Sequence, residues 1–172
     1  RSSWYRHFKQ QSYIRNTLVI LTMKKKKSVP IRSFKKSLPM QLLKAREAAM
    51  SRFRPMLRTH GLTEQRWRVI RAIYEHGSID ASELAKESFL LSPSLTRILK
   101  FLEREKILKR IGDKSDLRRS VFNLTEKGEK IIEKVAPETE SLYREIETLF
   151  GEKKFNQIFM LLERFSSKVN KD

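Results

Sequence analysis

Residues 80–124 of the chain read DASELAKESFLLSPSLTRILKFLEREKILKRIGDKSDLRRSVFNL. Near the middle, apolar residues recur at steps of three and four, which predicts a helix with one buried stripe: Leu95, Ile98, Leu99 and Leu102. A shorter helix that begins at Asp80 precedes it. Two strand-like runs, Ile107–Ile111 and Ser120–Leu124, follow it on either side of a polar segment. The segment therefore predicts two helices joined by a short turn and followed by a basic hairpin.

Helical patterns also flank this segment on both sides. One runs from Ser37 to His60, one follows Thr63 and ends at His76-Gly77, and two more follow Thr125 and Gly151. Two helices and a basic hairpin in this order are the winged helix-turn-helix arrangement. We therefore predict a mainly α fold with a small β-hairpin wing, and with helices before and after it that form a dimerisation region.

The second helix of this unit is predicted to read DNA. Its apolar stripe leaves the opposite face to Pro93, Arg97, Lys100 and Arg104, three of which are cations. Ser92 is the predicted N-cap, and Ser94 and Thr96 are small enough to let the backbone approach phosphates or base edges. Arg97 is the residue that we expect to contact guanine. The alternative is that these cations only form the solvated face of an amphipathic helix.

The hairpin carries a second group of predicted DNA contacts, because its polar tip is rich in cations and follows directly from the same unit: Lys114, Asp116, Arg118 and Arg119. We expect Asp116 to brace the tip so that Arg118 projects into a minor groove. Lys109 and Arg110 add charge to the first strand. This connected set of cations favours DNA binding over a generic basic surface.

Net charge supports a polyanionic partner. The chain has 172 residues, 38 Lys and Arg, 20 Asp and Glu, and a net charge of +18. Residues 1–46 hold 13 basic residues and no acidic one, and Lys24–Lys27 form a continuous run. We predict that residues 1–37 are a basic extension that is disordered. Met23 before the lysines is typical of a translation start, which would make residues 1–22 an upstream extension or an artefact; a functional arm is the alternative.

Several classes of function are disfavoured by composition. The chain has no Cys and three His, which leaves little for a metal site. Its five glycines are scattered singly, so there is no phosphate-binding loop, and no catalytic constellation stands out. No apolar run approaches the ~20 residues that cross a bilayer. We therefore expect a cytoplasmic protein that is not an enzyme, needs no cofactor or metal and does not enter a membrane.

The chain resembles the MarR family of transcriptional regulators. The resemblance is carried by the segments LSPSLTRIL (91–99), DKSDLRRS (113–120) and LTEKG (124–128), and Asp116-Leu117-Arg118 matches the Asp-x-Arg motif of that family's wing. Residues 42–51 and 62–68 are similar to the subgroup that controls homoprotocatechuate (4-hydroxyphenylacetate) catabolism. The resemblance covers about residues 38–169.

This resemblance implies a homodimer on a pseudo-palindromic DNA operator, with a DNA-binding lobe at about residues 62–124 and dimerisation helices at about 38–60 and 125–169. It implies a repressor of an aromatic-acid catabolic operon that a phenolic acid effector releases from DNA. The candidate ligand-binding residues are a cation for the carboxylate and aromatic or histidine side chains near it: Arg46, Trp67, Arg71, His60 and His76. Arg46 is the predicted carboxylate partner, although Trp67 is as well explained as a core residue and Arg71 as a surface charge.

The alternative function is a nonspecific or architectural nucleic-acid-binding protein driven by the basic tail. Such a protein binds any duplex with similar affinity and loses that affinity steeply with salt, whereas an operator reader keeps a specificity ratio.

Overall fold

A computed structural model describes residues 29–112 and 120–170 of the chain. It divides into two units, Arg1–Lys44 and Ala45–Asp172. In the first unit, a short 3-10 turn at Phe34–Lys36 precedes a helix that begins at Leu38, and Gln41 Nε2 donates to Lys35 O at 2.6 Å. The predicted extension, residues 1–37, is therefore described only from residue 29 onward.

Six helices and three strands make up the described part of the chain, and their order follows the sequence patterns: α1 Leu38–Thr59, α2 Glu64–His76, β1 Ile79–Asp80, α3 Ala81–Ser88, α4 Ser92–Arg104, β2 Leu108–Gly112, β3 Ser120–Leu124, α5 Glu126–Phe150 and α6 Glu152–Val169. The strands form one antiparallel sheet of order β1-β3-β2. This is the predicted mainly α fold with a β-hairpin. No described helix is long and apolar enough to cross a bilayer.

Side-chain caps fix where α2, α3 and α5 begin. Thr63 accepts a hydrogen bond from Arg66 N, and Thr125 accepts one from Gly128 N. The Asp80 carboxylate accepts from the backbone N–H groups of Ser82 and Glu83 at 2.8 and 2.9 Å. Each cap pairs backbone donors that the first helical turn leaves without an intrahelical partner.

The start of α4 corrects one expectation. Ser92 was predicted as the N-cap, but Leu91 holds that position without a side-chain hydrogen bond, and Ser92 is the first helical residue. The cause is the first helical hydrogen bond, which Leu95 N donates to Leu91 O at 3.0 Å. Pro93 then lies in the first turn, where a missing N–H has no helical partner to lose.

The hydrophobic core lies in the second unit and joins all of its layers. Its fully buried residues come from α1, α2, α3, α4, β1, β2 and α5: Leu57, Val69, Ile70, Ile73, Leu84, Leu102, Ile79, Leu108 and Val135. Phe122 of β3 is also buried and pairs with Ile79 and Arg110 across the sheet. The core therefore holds α4 and the hairpin in one fixed arrangement.

Helix α6 differs from the others, because none of its residues is buried. Apolar side chains on it and at the end of α5 are exposed: Leu149, Phe150, Phe159, Met160, Leu161, Leu162, Phe165 and Val169. Such a surface is larger than the scattered apolar residues usual on a monomer and is typical of an interface.

Candidate functional site

Helix α4 presents the predicted cationic face to solvent. Its apolar stripe is buried in the core, while the opposite residues are exposed: Pro93, Thr96, Arg97, Lys100 and Arg104. Ser92 is exposed and Ser94 is half-buried. Thr96 Oγ1 donates to Ser92 O at 2.8 Å, so its hydroxyl oxygen remains available as an acceptor. The structure therefore gathers the predicted contacts of this helix on one surface.

Strands β2 and β3 pair in register from Leu108–Leu124 to Gly112–Ser120 and form the base of the wing. Lys109 and Arg110 on β2 are exposed. The remaining predicted wing contacts, Lys114, Asp116, Arg118 and Arg119, lie outside the described residues.

A cavity of about 460 Å³ lies between α1, α2 and α5 in the second unit. Four of the five candidate ligand-binding residues line it: Arg46, Trp67, Arg71 and His76. Its volume falls in the range that holds small organic ligands. His60 is not among the described lining residues, and its Nε2 lies 2.8 Å from Glu138 Oε1 on α5. The structure therefore brings together every candidate except His60.

Aromatic side chains line this cavity. Trp67 is only 9% exposed and belongs to both the core and the lining, so its two predicted roles are compatible. Phe53 of α1 and Tyr143 of α5 face each other with ring centroids 5.0 Å apart, and both line the cavity. Phe89, in the turn before α4, is a further lining residue. Sequence patterns did not identify Phe53, Tyr143 or Phe89, because Phe53 fits the stripe of α1 and the others show no local signal.

Arg46 is neutralised by carboxylates of the chain itself. Its Nη1 lies 2.9 Å from Glu47 Oε1, and its Nη2 contacts Glu64. Glu64, whose side chain is 19% exposed, also accepts from Arg68 Nη2 at 2.9 Å and lies 3.4 Å from Arg54 Nη2. Arg54 in turn makes two hydrogen bonds to Glu47, which lower the pKa of that carboxyl. Sequence analysis missed this ion network because its members come from two helices.

Arg71 is placed differently from Arg46. Its Nη2 donates to Glu75 Oε1 at 2.7 Å, and Tyr143 lines the same cavity. Burial favours the neutral form, but the Glu75 and Tyr143 interactions outweigh it and raise the pKa of Arg71 above its usual value. Arg71 is therefore a cation that shares the cavity lining with Trp67 and Tyr143 and has one carboxylate partner among the described residues, Glu75.

A smaller cavity of about 200 Å³ shares the walls formed by Trp67, Arg71 and Tyr143. No group of three or more described His, Asp or Glu residues is arranged to hold a metal ion. The chemistry that the main cavity offers is recognition: a cation for an acid, aromatic faces for a ring and carboxylates such as Glu64 for a hydroxyl group.

Comparison with known proteins gives the family. The MarR family model matches residues 62–120, which span α2, β1, α3, α4 and β2 and end at the first residue of β3. The homoprotocatechuate degradative operon repressor of Escherichia coli is 42% identical over 134 residues, which cover 78% of this chain and 90% of that protein. These relatives are DNA-binding regulators and not enzymes.

Solved structures agree with this fold. The transcriptional regulator PA4135 is 44% identical and superposes with a TM-score of 0.75, over 78% of this chain and 98% of that one. NadR in complex with 4-hydroxyphenylacetate is 37% identical with a TM-score of 0.71, over 83% of this chain and all of that one. The cationic face of α4, the hairpin and these matches place the chain in the MarR family of DNA-binding transcriptional regulators.

Proposed function

We propose that this MarR-family regulator is a homodimer that represses an operon for aromatic-acid breakdown. The dimer leaves its operator when a phenolic acid binds in the cavity between α1, α2 and α5. The observation that carries the proposal is the cavity itself, whose lining combines the Arg71 cation with the rings of Trp67 and Tyr143. The likeness to a homoprotocatechuate operon repressor and to NadR with bound 4-hydroxyphenylacetate supports the same class of ligand.

We further propose that residues 62–124 form the DNA-binding lobe, and that residues 38–60 and 125–169 supply the dimer interface. The exposed apolar face of α6 supports this division, because a second copy of the chain would remove that face from water. A dimer also sets the spacing of two α4 helices, which must fit successive major grooves of one operator.

Within the cavity, Arg71 is the better-placed partner for a ligand carboxylate. A bound acid has to replace the single described carboxylate of Arg71, Glu75, whose side chain is 58% exposed. At Arg46 it would have to compete with both Glu47 and Glu64. Our sequence prediction of Arg46 therefore stays open as a second assignment, and the two arginines can be tested side by side.

Ligand release of DNA follows if the ligand binds one dimer geometry better than the other. The cavity is lined by residues of the proposed dimerisation helices α1 and α5 and, on the side of the proposed DNA-binding lobe, by Phe89, three residues before α4 begins. A ligand that contacts both sides favours one spacing of the two α4 helices. Preference of a few kcal/mol for a spacing that misfits the operator is enough to switch binding.

A gel shift on the promoter region beside the protein's own gene tests the operator and the effector together. We expect a complex that survives excess random duplex and is released by 4-hydroxyphenylacetate or a related phenolic acid. Binding that random duplex abolishes would contradict a specific operator. A stable complex with every phenolic acid tested would contradict the proposed effector class.

Calorimetric titration with 4-hydroxyphenylacetate assigns the carboxylate partner. Arg71→Ala is expected to weaken binding about 10- to 100-fold, since a charge-assisted hydrogen bond contributes about 1.5–3 kcal/mol. Arg52→Ala, which changes an exposed arginine of α1 outside the cavity, is the matched control. Loss of binding in Arg46→Ala with no change in Arg71→Ala would reverse the assignment.

A further inference from the structure

We propose that Arg66 of α2 binds a DNA phosphate beside the groove that α4 enters, and that Phe101 of α4 holds the Arg66 guanidinium in place. This inference rests on the proposed DNA-reading role of α4. Neither residue belongs to the predicted set of DNA contacts.

Phe101 connects α2 to the cationic face of α4. The ring is half-buried and lies in the same helical row as Arg97 and Arg104, four residues after one and three before the other. The Arg66 Cζ atom lies 3.5 Å from the ring centroid, and the Arg104 Cζ atom lies 5.2 Å from it. Both distances fall within the ~6 Å reach of a cation–π contact. Arg66 therefore continues the cationic row of α4 onto a neighbouring helix.

Arg66 differs in its pairing from the other arginines of α2. Arg68 and Arg71 are paired with Glu64 and Glu75. Arg66 has no carboxylate partner among the described residues, and its described side-chain contact is the ring of Phe101. Arg104 is paired with Glu105, whose Oε1 lies 3.3 Å from Arg104 Nε, so Arg66 is the guanidinium at this ring that no described carboxylate neutralises. The arrangement therefore leaves an anion site open at the edge of the row.

A DNA phosphate is the anion that fits this position. A guanidinium that stacks one face on a ring keeps the N–H groups of its edge free to donate to phosphate oxygens. Arg97 and Lys100 are exposed in the same row, so a duplex on this face carries its backbone past Arg66. Contacts to phosphate position a protein on DNA without reading its sequence.

Salt-dependent DNA binding tests this assignment in the full-length protein. The duplexes are the promoter region beside its own gene and a random sequence of equal length, each titrated by fluorescence anisotropy over a salt series. Arg66→Ala is expected to weaken both complexes by the same factor and to reduce the slope of log K against log salt by about 1. Arg66→Lys keeps the charge and should restore the slope.

Two further variants separate the contact from its alternatives. Phe101→Leu keeps the charge of Arg66 but removes the ring, so affinity should fall by less than in Arg66→Ala. Arg52→Ala on α1 removes an equal charge outside this surface and should leave the slope unchanged. Thermal unfolding of each variant shows whether a loss of affinity reflects a loss of folded protein.

The outcomes are distinct. An unchanged slope in folded Arg66→Ala would show that the Arg66–Phe101 contact is only structural. The same decrease in Arg52→Ala would show that net charge alone matters. Wild-type behaviour of Phe101→Leu would contradict the positioning role of the ring. If the wild-type protein does not prefer the promoter duplex, the operator proposal fails, yet the slope on random duplex still tests Arg66.

Discussion

Gly128 shows how one residue fixes the junction between the hairpin and α5. A Cβ atom at this position would overlap the backbone oxygen of Ile107 and lie 3.1 Å from Leu124 Cδ2. The same oxygen accepts hydrogen bonds from Thr125 N at 3.0 Å and from Thr125 Oγ1 at 3.1 Å. The glycine of the LTEKG segment is therefore required by close packing of the start of α5 against the strand that begins the wing.

Gly128→Ala is expected to destabilise the protein by about 1–3 kcal/mol, the usual range for overpacking a tight site, because the clash is with backbone that cannot move aside. Urea unfolding measures the free energy of unfolding. Gly112→Ala is the control: apart from its chain neighbours, no atom of the described residues lies within 4 Å of a Cβ built there, and a change within about 0.5 kcal/mol is expected. Equal stability of the two variants would contradict the packing argument.

The candidate site shows what single residues reveal in a sequence. Trp67 and Arg71 are four residues apart on one helix, so their meeting in the cavity follows from helical spacing. The pairing of Arg46 with Glu64 depends on how α1 crosses α2, which no local pattern contains. His60 follows the end of α1 and faces Glu138 instead of the cavity for the same reason. Helical spacing therefore predicts part of the cavity lining, whereas the ion pairs of its arginines depend on how the helices pack.

At the scale of elements, prediction succeeded where local chemistry decides. Helix α2 ends at the glycine that was expected to stop it, with Gly77 at φ 70°, and the two long strands match their predicted ranges to within one residue. The N-cap of α4 moved from Ser92 to Leu91 because Leu91 O takes the first helical hydrogen bond. Strand β1 pairs with β3, whose partner residues lie at least 41 positions later in the sequence. A strand of two residues carries too little pattern to predict so distant a partner.

Helix α6 carries the prediction that belongs to this scale. Leu161→Glu is expected to raise the dimer dissociation constant by about 100-fold or more, since an unpaired carboxylate buried in an interface costs about 3 kcal/mol. Leu161 is 65% exposed within one chain, so the change removes little intrachain packing. Sedimentation velocity at several concentrations measures the oligomeric state.

Gln157→Glu adds the same charge to an exposed polar position of the same helix and should leave the dimer intact. Circular dichroism checks that both variants keep their helical content. A dimer that survives Leu161→Glu unchanged would show that the apolar face of α6 is not the interface.

For the whole molecule, the distribution of charge matters more than its sum. Arginines around the cavity are paired with Glu47, Glu64 and Glu75, whereas Arg97 and Lys100 on α4 have no carboxylate partner among the described residues. The net charge of +18 would by itself fit a nonspecific binder. We therefore expect specificity to come from the cationic face of α4 and the wing, and the lysine-rich run to add only general attraction to phosphates.

Replacing Lys24–Lys27 with glutamine separates these two contributions. If the run only attracts phosphates, the slope of log K against log salt becomes shallower to the same extent on promoter and random duplexes, and the ratio of their affinities is preserved. Arg97→Ala is the matched comparison, since it should lower the ratio by a factor that corresponds to about 1–3 kcal/mol for a lost base contact. The opposite result would be a promoter preference that is lost with the lysines and kept in Arg97→Ala. It would favour the nonspecific or architectural function driven by the basic tail, because specificity carried by α4 cannot depend on a run of charges that reads no base.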